Sequence, residues 1–353
     1  IVQPLAGYYA DRHQTRWFIF IGLSMVVIFI PLTGLVNTFW LLLPLVALGS
    51  VGSSMFHPSV TGMLPLYAGR NPGLSMSIFN TGGTFAFAVG PVFITWYATT
   101  FGLSAMPATM GFGLLVFGYL LWTVPRPKPE GLMHLGFLGA LKEALGKAWR
   151  PIAIIWLVMV LRAVVGQSFM TFMPVLFVQK GYSLVSTGVI FSLFTLAGTV
   201  SGLIAGYLSD RTGYRPIFFF THALMTPALL LLLYLPGNWL YLGAIVAGGF
   251  VLATLPLGVV MAQALAPKGR SMVASLMMGL AFGLGGAFTP IIGKLGDMFS
   301  IQTVLLGVSF IPLLTVGLIV FFPEPGKAAS SMANYAPQNR ESDYGIIQDS
   351  SSD

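Results

Sequence analysis

Gly206-Tyr207-Leu208-Ser209-Asp210-Arg211-Thr212-Gly213-Tyr214-Arg215 is a short charged turn set between two long apolar segments, and it is written twice. Near the start of the chain, Gly7-Tyr8-Tyr9-Ala10-Asp11-Arg12-His13-Gln14-Thr15-Arg16 carries the same Gly, Tyr, Asp, Arg and Arg at the same spacing, 199 residues earlier. Trp40 with Trp239, Gly49 with Gly248 and Pro91 with Pro290 keep that offset without a gap. One match would carry no weight, but a single offset held over about 80 residues of each half marks a duplicated architecture.

Around this repeat the chain is too apolar for water. Of its 353 residues 56% are hydrophobic and only 8% charged, with a mean hydropathy of +0.85, where a soluble domain carries about 25% charge. The sequence reads as an all-α polytopic membrane protein. Its pI near 9.7 does not point to nucleic acid, because Lys and Arg sit in loops at segment ends and not on one face. The absence of cysteine removes thiolate and disulfide chemistry.

Spans of about 20 apolar residues fall between turn and charge clusters. Ile1–Ala10 reads as the back of a second helix. Helix three covers Trp17–Val36, four Phe39–Leu66, five Leu74–Ala98 and six Ser104–Val124. Helices seven to twelve cover 151–177, 184–208, 216–235, 239–265, 271–296 and 303–322. If the repeat holds, helix one and part of helix two precede Ile1, roughly 48 residues by the offset. The expected organisation is an N-terminal bundle (1–124), a linker (125–150), a C-terminal bundle (151–322) and a polar, disordered tail (323–353). Within the linker, the amphipathic run 138–145 is expected to lie flat on the membrane surface. Twelve Lys and Arg fall on the side of the two repeated turns and the linker, against only Lys180 and Lys294 on the other. The positive-inside rule makes the richer side cytoplasmic, with the linker and tail in the cytosol.

The motif Gly-x-x-x-Asp-Arg-x-x-x-Arg between two apolar helices resembles the loop between helices two and three of major facilitator superfamily transporters, which recurs between eight and nine. The resemblance covers about residues 1–322 and implies two six-helix bundles, of which about eleven helices are represented here. Phe56-His57-Pro58 in helix four, and Gly82-Gly83 to Gly90-Pro91 in helix five, resemble the fosmidomycin-resistance-like branch. Gly90-Pro91 is also similar to part of the fifth-helix motif of drug/proton antiporters, where it shapes a bend. Ser77 and Ala86 stand where that motif has glycine.

No site for hydrolytic or nucleotide chemistry is found. The stretch from Gly139 to Gly146-Lys147 has the wrong spacing for a phosphate loop and ends in Ala148, so no cofactor, metal or enzymatic role is assigned. Asp11 and Asp210 can meet the positive N-terminus of a helix across the bundle interface. With Arg12, Arg16, Arg211 and Arg215 they form either a conformational latch, as the resemblance implies, or a purely topological charge cluster facing anionic lipid. Small-residue stripes, such as Gly198, Gly202 and Gly206, suit close or sliding helix contacts.

Inside the membrane the polar groups are few. Arg162 lies about eleven residues into helix seven, and an intramembrane Arg normally faces a cavity or a partner. It either lines a central cavity or makes a structural ion pair or carbonyl contact. His57 is a candidate proton carrier or a cap for a carbonyl freed by Pro58. Gln167 sits about 140° around the helix from Arg162. With Asn80 it completes the candidate substrate set, while Gln263 and His222 are weaker candidates. A fixed cation without a fixed anion favours an anionic substrate. The expected protein is a monomeric transporter of the bacterial inner membrane, exporting a small anionic drug such as a phosphonate in exchange for protons by alternating access. The competing readings are uptake of an organic anion on the same fold and a non-transporting sensor or scaffold.

Overall fold

The computed structural model describes residues 2–13, 15–125 and 135–323, and those stretches contain helices and turns but no strand. The expected tail from 324 and linker residues 126–134 lie outside the described residues. In the first half, α1 (Val2–Arg12) is followed by α2 (Thr15–Leu32), which a 3-10 turn, Thr33–Leu35, extends. Next come α3 (Phe39–Tyr67) and α4 (Pro72–Phe101), and a 3-10 stretch, Leu103–Thr109, leads into α5 (Met110–Thr123). Between the halves lies α6 (Phe137–Leu145). The second half opens with α7 (Trp149–Gln179), α8 (Leu184–Thr212) and α9 (Tyr214–Tyr234). Nine helical segments among the described residues are long and apolar enough to cross a membrane.

The remaining spans are segmented. Expected helix ten is α10 (Trp239–Leu252) and α11 (Leu255–Leu265). Helix eleven is α12 (Arg270–Ser275), a π turn at Leu276–Leu280, α13 (Ala281–Ala287) and α14 (Thr289–Phe299). Helix twelve is α15 (Ile301–Val308) and α16 (Ile311–Ile319). Three of these interruptions share one cause. Pro256, Pro290 and Pro312 each sit in the first turn of the segment after the break, where a missing N–H is harmless and the fixed φ suits a helix start. The π turn is braced differently: Trp156 Nε1 donates to the Leu276 carbonyl at 3.1 Å.

The 199-residue repeat reappears in the hydrogen bonds. Arg16 donates to the Leu121 carbonyl at 2.5 Å, and Arg215 to the Val320 carbonyl at 2.8 Å. Both the donors and the acceptors are 199 positions apart. Each arginine thus ties the entry of one helix to the end of another within its own half.

The halves meet along two seams. One brings the end of α8 against the start of α4: a Cβ on Gly206 would lie 2.8 Å from the Gly73 carbonyl oxygen and also against the Ser77 side chain. Only glycine lets these backbones approach so closely. Gly206→Val is expected to destabilise the fold by about 1–3 kcal/mol through overpacking, read as a lower thermal midpoint in detergent. Gly202→Ala, one turn earlier on the same stripe, should be close to neutral, because its Cβ would meet nothing nearer than the Ala253 carbonyl at 4.0 Å.

The amphipathic helix α6 spends its small-residue face on protein and not on lipid. Ala140 and Ala144 are buried, and Ala140 packs with Tyr8 of α1 and Met272 of α12. Leu138 points outward. The two alanines are small enough to let α6 settle on the seam beneath it.

Candidate functional site

Two carboxylates close the seams. Asp11, at the end of α1, is 2% exposed and accepts the Ser271 and Met272 amides at 2.9 and 2.8 Å. Asp210, near the end of α8, accepts the Gly73 and Leu74 amides at 2.8 and 2.9 Å. In both cases the donors are the second and third residues of a helix in the opposite half, α12 and α4 respectively. These amides have no intrahelical acceptor. Neither Gly269 nor Asn71, at the N-cap positions, supplies a side-chain cap. The carboxylate from across the seam therefore does the capping, with its charge facing the positive end of the helix. Hydrogen bonds to a charged group are worth about 1.5–3 kcal/mol each.

The arginines of the repeat do not copy each other so closely. Arg12 donates to the Tyr8 hydroxyl at 2.7 Å, whereas the Arg211 guanidinium lies over the Tyr207 ring at 4.1 Å. A third cross-half link is visible in sequence only as a polar residue in an apolar run: Gln263, 2% exposed, donates from Nε2 to the Thr61 carbonyl at 2.9 Å, across the halves, and to the Arg270 carbonyl at 3.1 Å, within its own. Tyr8 belongs to the repeated motif, but no sequence signal marks its contact with the linker.

Arg162 is 2% exposed and turns towards the break between α10 and α11. Its Nη1 donates to the Val251 carbonyl at 3.1 Å, and its guanidinium lies 5.6 Å from the centre of the Phe282 ring. The broken helix explains the acceptor: once α10 ends, the carbonyls of its last turn lose their i+4 partners. Nε and Nη2 of Arg162 have no partner among the described residues. The only ion pair among those residues is Lys268 with Glu143, 3.3 Å apart and exposed, so no carboxylate neutralises Arg162.

His57 sits in α3 between Phe56 and Phe79, with ring centroids 5.6 and 6.1 Å away. Its Nδ1 is buried and has no partner among the described residues, so this nitrogen does not cap a described carbonyl. Gln167 and Asn80 are partly buried. Gly166, the helical neighbour of Arg162, faces Val251, which leaves Gln167 turned away from that contact. No contact joins His57, Asn80 or Gln167 to Arg162 among the described hydrogen bonds and ring pairs. His222 is fully buried, with Nδ1 2.9 Å from the Phe218 carbonyl. The α4 backbone stays helical through Gly90 and Pro91; the Pro91 side chain lies outside the described residues. An apolar recess of about 690 Å³, lined by Met170, Pro174, Val178, Leu184, Thr187 and Phe191 of α7 and α8, contains none of the expected site residues.

Comparison with known proteins agrees with this geometry. The family model described as Major Facilitator Superfamily matches residues 1–290 and, a second time, 186–334. The chain is 25% identical over 330 residues to the fosmidomycin resistance protein of Escherichia coli (strain K12), covering 92% of this chain and 80% of that one. It is 30% identical over 202 residues to the class H tetracycline resistance protein of Pasteurella multocida, covering 54% and 49%. Among solved structures, the E. coli fucose:proton symporter superposes with a TM-score of 0.76 at 11% identity, over 92% of this chain and 88% of that one. A human organic anion transporter gives 0.76 at 17% identity, over 90% and 80%. The doubled turn, the paired helix bundles and the family match lead to one conclusion: the chain belongs to the Major Facilitator Superfamily of membrane transporters.

Proposed function

We propose that this transporter exports a small anionic drug of the phosphonate type in exchange for protons, by rocking its two helix bundles about a midplane site. The observation that carries the reading is the pair of carboxylate clamps. Asp11 and Asp210 each bond backbone amides of the opposite half at the same end of the molecule, so opening that end has to break both clamps. The Lys and Arg distribution supports a cytoplasmic position for the clamped end, and the reading takes the membrane to be the bacterial inner membrane. Export agrees with what two relatives are named for, resistance to fosmidomycin and to tetracycline. Arg162, a buried cation with two unfilled donor nitrogens, suits an anionic cargo. His57, with a buried free nitrogen, suits a proton carrier.

Expressing the full-length protein in a sensitive bacterium is expected to raise the tolerated concentration of fosmidomycin several-fold, with the protection lost when a protonophore collapses the proton gradient. Heightened sensitivity would instead assign the protein to uptake. Unchanged sensitivity to fosmidomycin and to other anionic antibiotics would overturn the export of anions.

A further inference from the structure

The two seams are built from the same repeat yet are not equal. At the Asp210 seam, Tyr207 is 43% exposed. At the Asp11 seam its counterpart Tyr8 is 5% exposed and belongs to a small network. The Tyr8 hydroxyl donates to the Leu135 carbonyl of the linker at 2.8 Å and receives Arg12 at 2.7 Å, while its ring packs edge-on against Phe137 at 5.6 Å. The same linker helix reaches the other half twice. Ala140 packs with Met272, whose amide is held by Asp11, and Glu143 pairs with Lys268 just before α12. Thus α6 touches both sides of the seam at once. Nothing comparable connects it to Gly73, Leu74 or Asp210 among the described contacts.

We infer that α6 is a one-sided strap over the Asp11 clamp, with Tyr8 as its positioning residue, so that the Asp11 side carries the larger share of what keeps this end closed. Separating Asp11 from the Ser271 and Met272 amides pulls α1 away from α12. The strap must then release Tyr8 or Met272, since Ala140 cannot remain packed on both. The inference rests on the alternating-access reading, in which this end opens during each cycle.

Residues 1–353 contain no cysteine, so once any cysteine elsewhere in the full-length protein is replaced by serine a single introduced one is an unambiguous reporter. Ser275 lies in the Asp11 seam beside Gly7, and Ser77 in the Asp210 seam beside Gly206; both are 1% exposed. In the full-length protein in inside-out vesicles, a membrane-impermeant maleimide would label Ser275→Cys or Ser77→Cys only when the corresponding seam opens. Tyr8→Phe keeps the ring but loses both hydroxyl bonds. Because both clamps close the same end, it is expected to speed labelling of Ser275→Cys and Ser77→Cys alike, roughly two- to ten-fold, the equivalent of one hydrogen bond. Tyr207→Phe should alter neither. Acceleration by Tyr207→Phe as large as by Tyr8→Phe, or none by Tyr8→Phe when Asp11→Asn does accelerate labelling, overturns the strap alone. No acceleration even with Asp11→Asn would take down the clamp and the strap with it.

Discussion

Asp11→Asn is expected to cut transport by at least about ten-fold while leaving a folded protein in the membrane. The carboxylate uses both oxygens, one for each of the Ser271 and Met272 amides. Asparagine offers one oxygen, and its amide group would turn a donor towards a donor. It also brings no charge to the helix N-terminus. Losing about 1.5–3 kcal/mol from a state whose population sets the cycle shifts the equilibrium roughly ten- to a hundred-fold towards the opposite opening. Substrate flux in proteoliposomes, paired with spin-label distances across the seam, reads both effects. Asp210→Asn should act in the same direction through Gly73 and Leu74. Full transport by a well-folded Asp11→Asn protein would show that the clamp is not part of the cycle.

The second large effect is at Arg162. Methionine fills much of the same volume without charge, and it removes a buried cation that no carboxylate among the described residues neutralises, so Arg162→Met should fold at least as well as the parent. If the guanidinium anchors an anionic cargo, transport should fall about 30- to 100-fold, the equivalent of losing one buried charge-assisted contact of about 2–3 kcal/mol. If Arg162 merely splints the broken helix through Val251, Arg162→Met should transport normally. The alanine variant cannot make this distinction, because it also leaves a cavity beside Phe282. Flux measured at matched protein levels decides between the two roles.

Much of the architecture was legible because hydrophobic length and charge clusters are strong signals. Expected helix eight at 184–208 and observed α8 at Leu184–Thr212 start at the same residue. The breaks were not legible. Pro44, Pro58 and Pro65 all sit inside the unbroken α3, whereas Pro256, Pro290 and Pro312 begin new segments. Local sequence does not separate these cases; packing against neighbouring helices does. For the site, the repeat itself pointed to Asp11 and Asp210, and the backbone amides they meet could be named only as a helix N-terminus. Burial of Arg162 followed from its depth, but its direction towards Val251 depended on the unforeseen end of α10. Tyr8 illustrates what a repeat cannot reveal: the two copies look alike in sequence, and only the linker, which has no twin, sets them apart.

The partners of both aspartates belong to the main chain, and this has a genetic consequence. Any amino acid except proline at 271, 272 or 74 still presents the N–H that the carboxylate needs. Drift at those positions can therefore leave the fastening intact, while the two acids have no substitute of equal reach and charge. A saturation screen should find near-intolerance at both acids and tolerance at the partly buried Leu74, while Ser271 and Met272, almost fully buried, accept only residues of similar size.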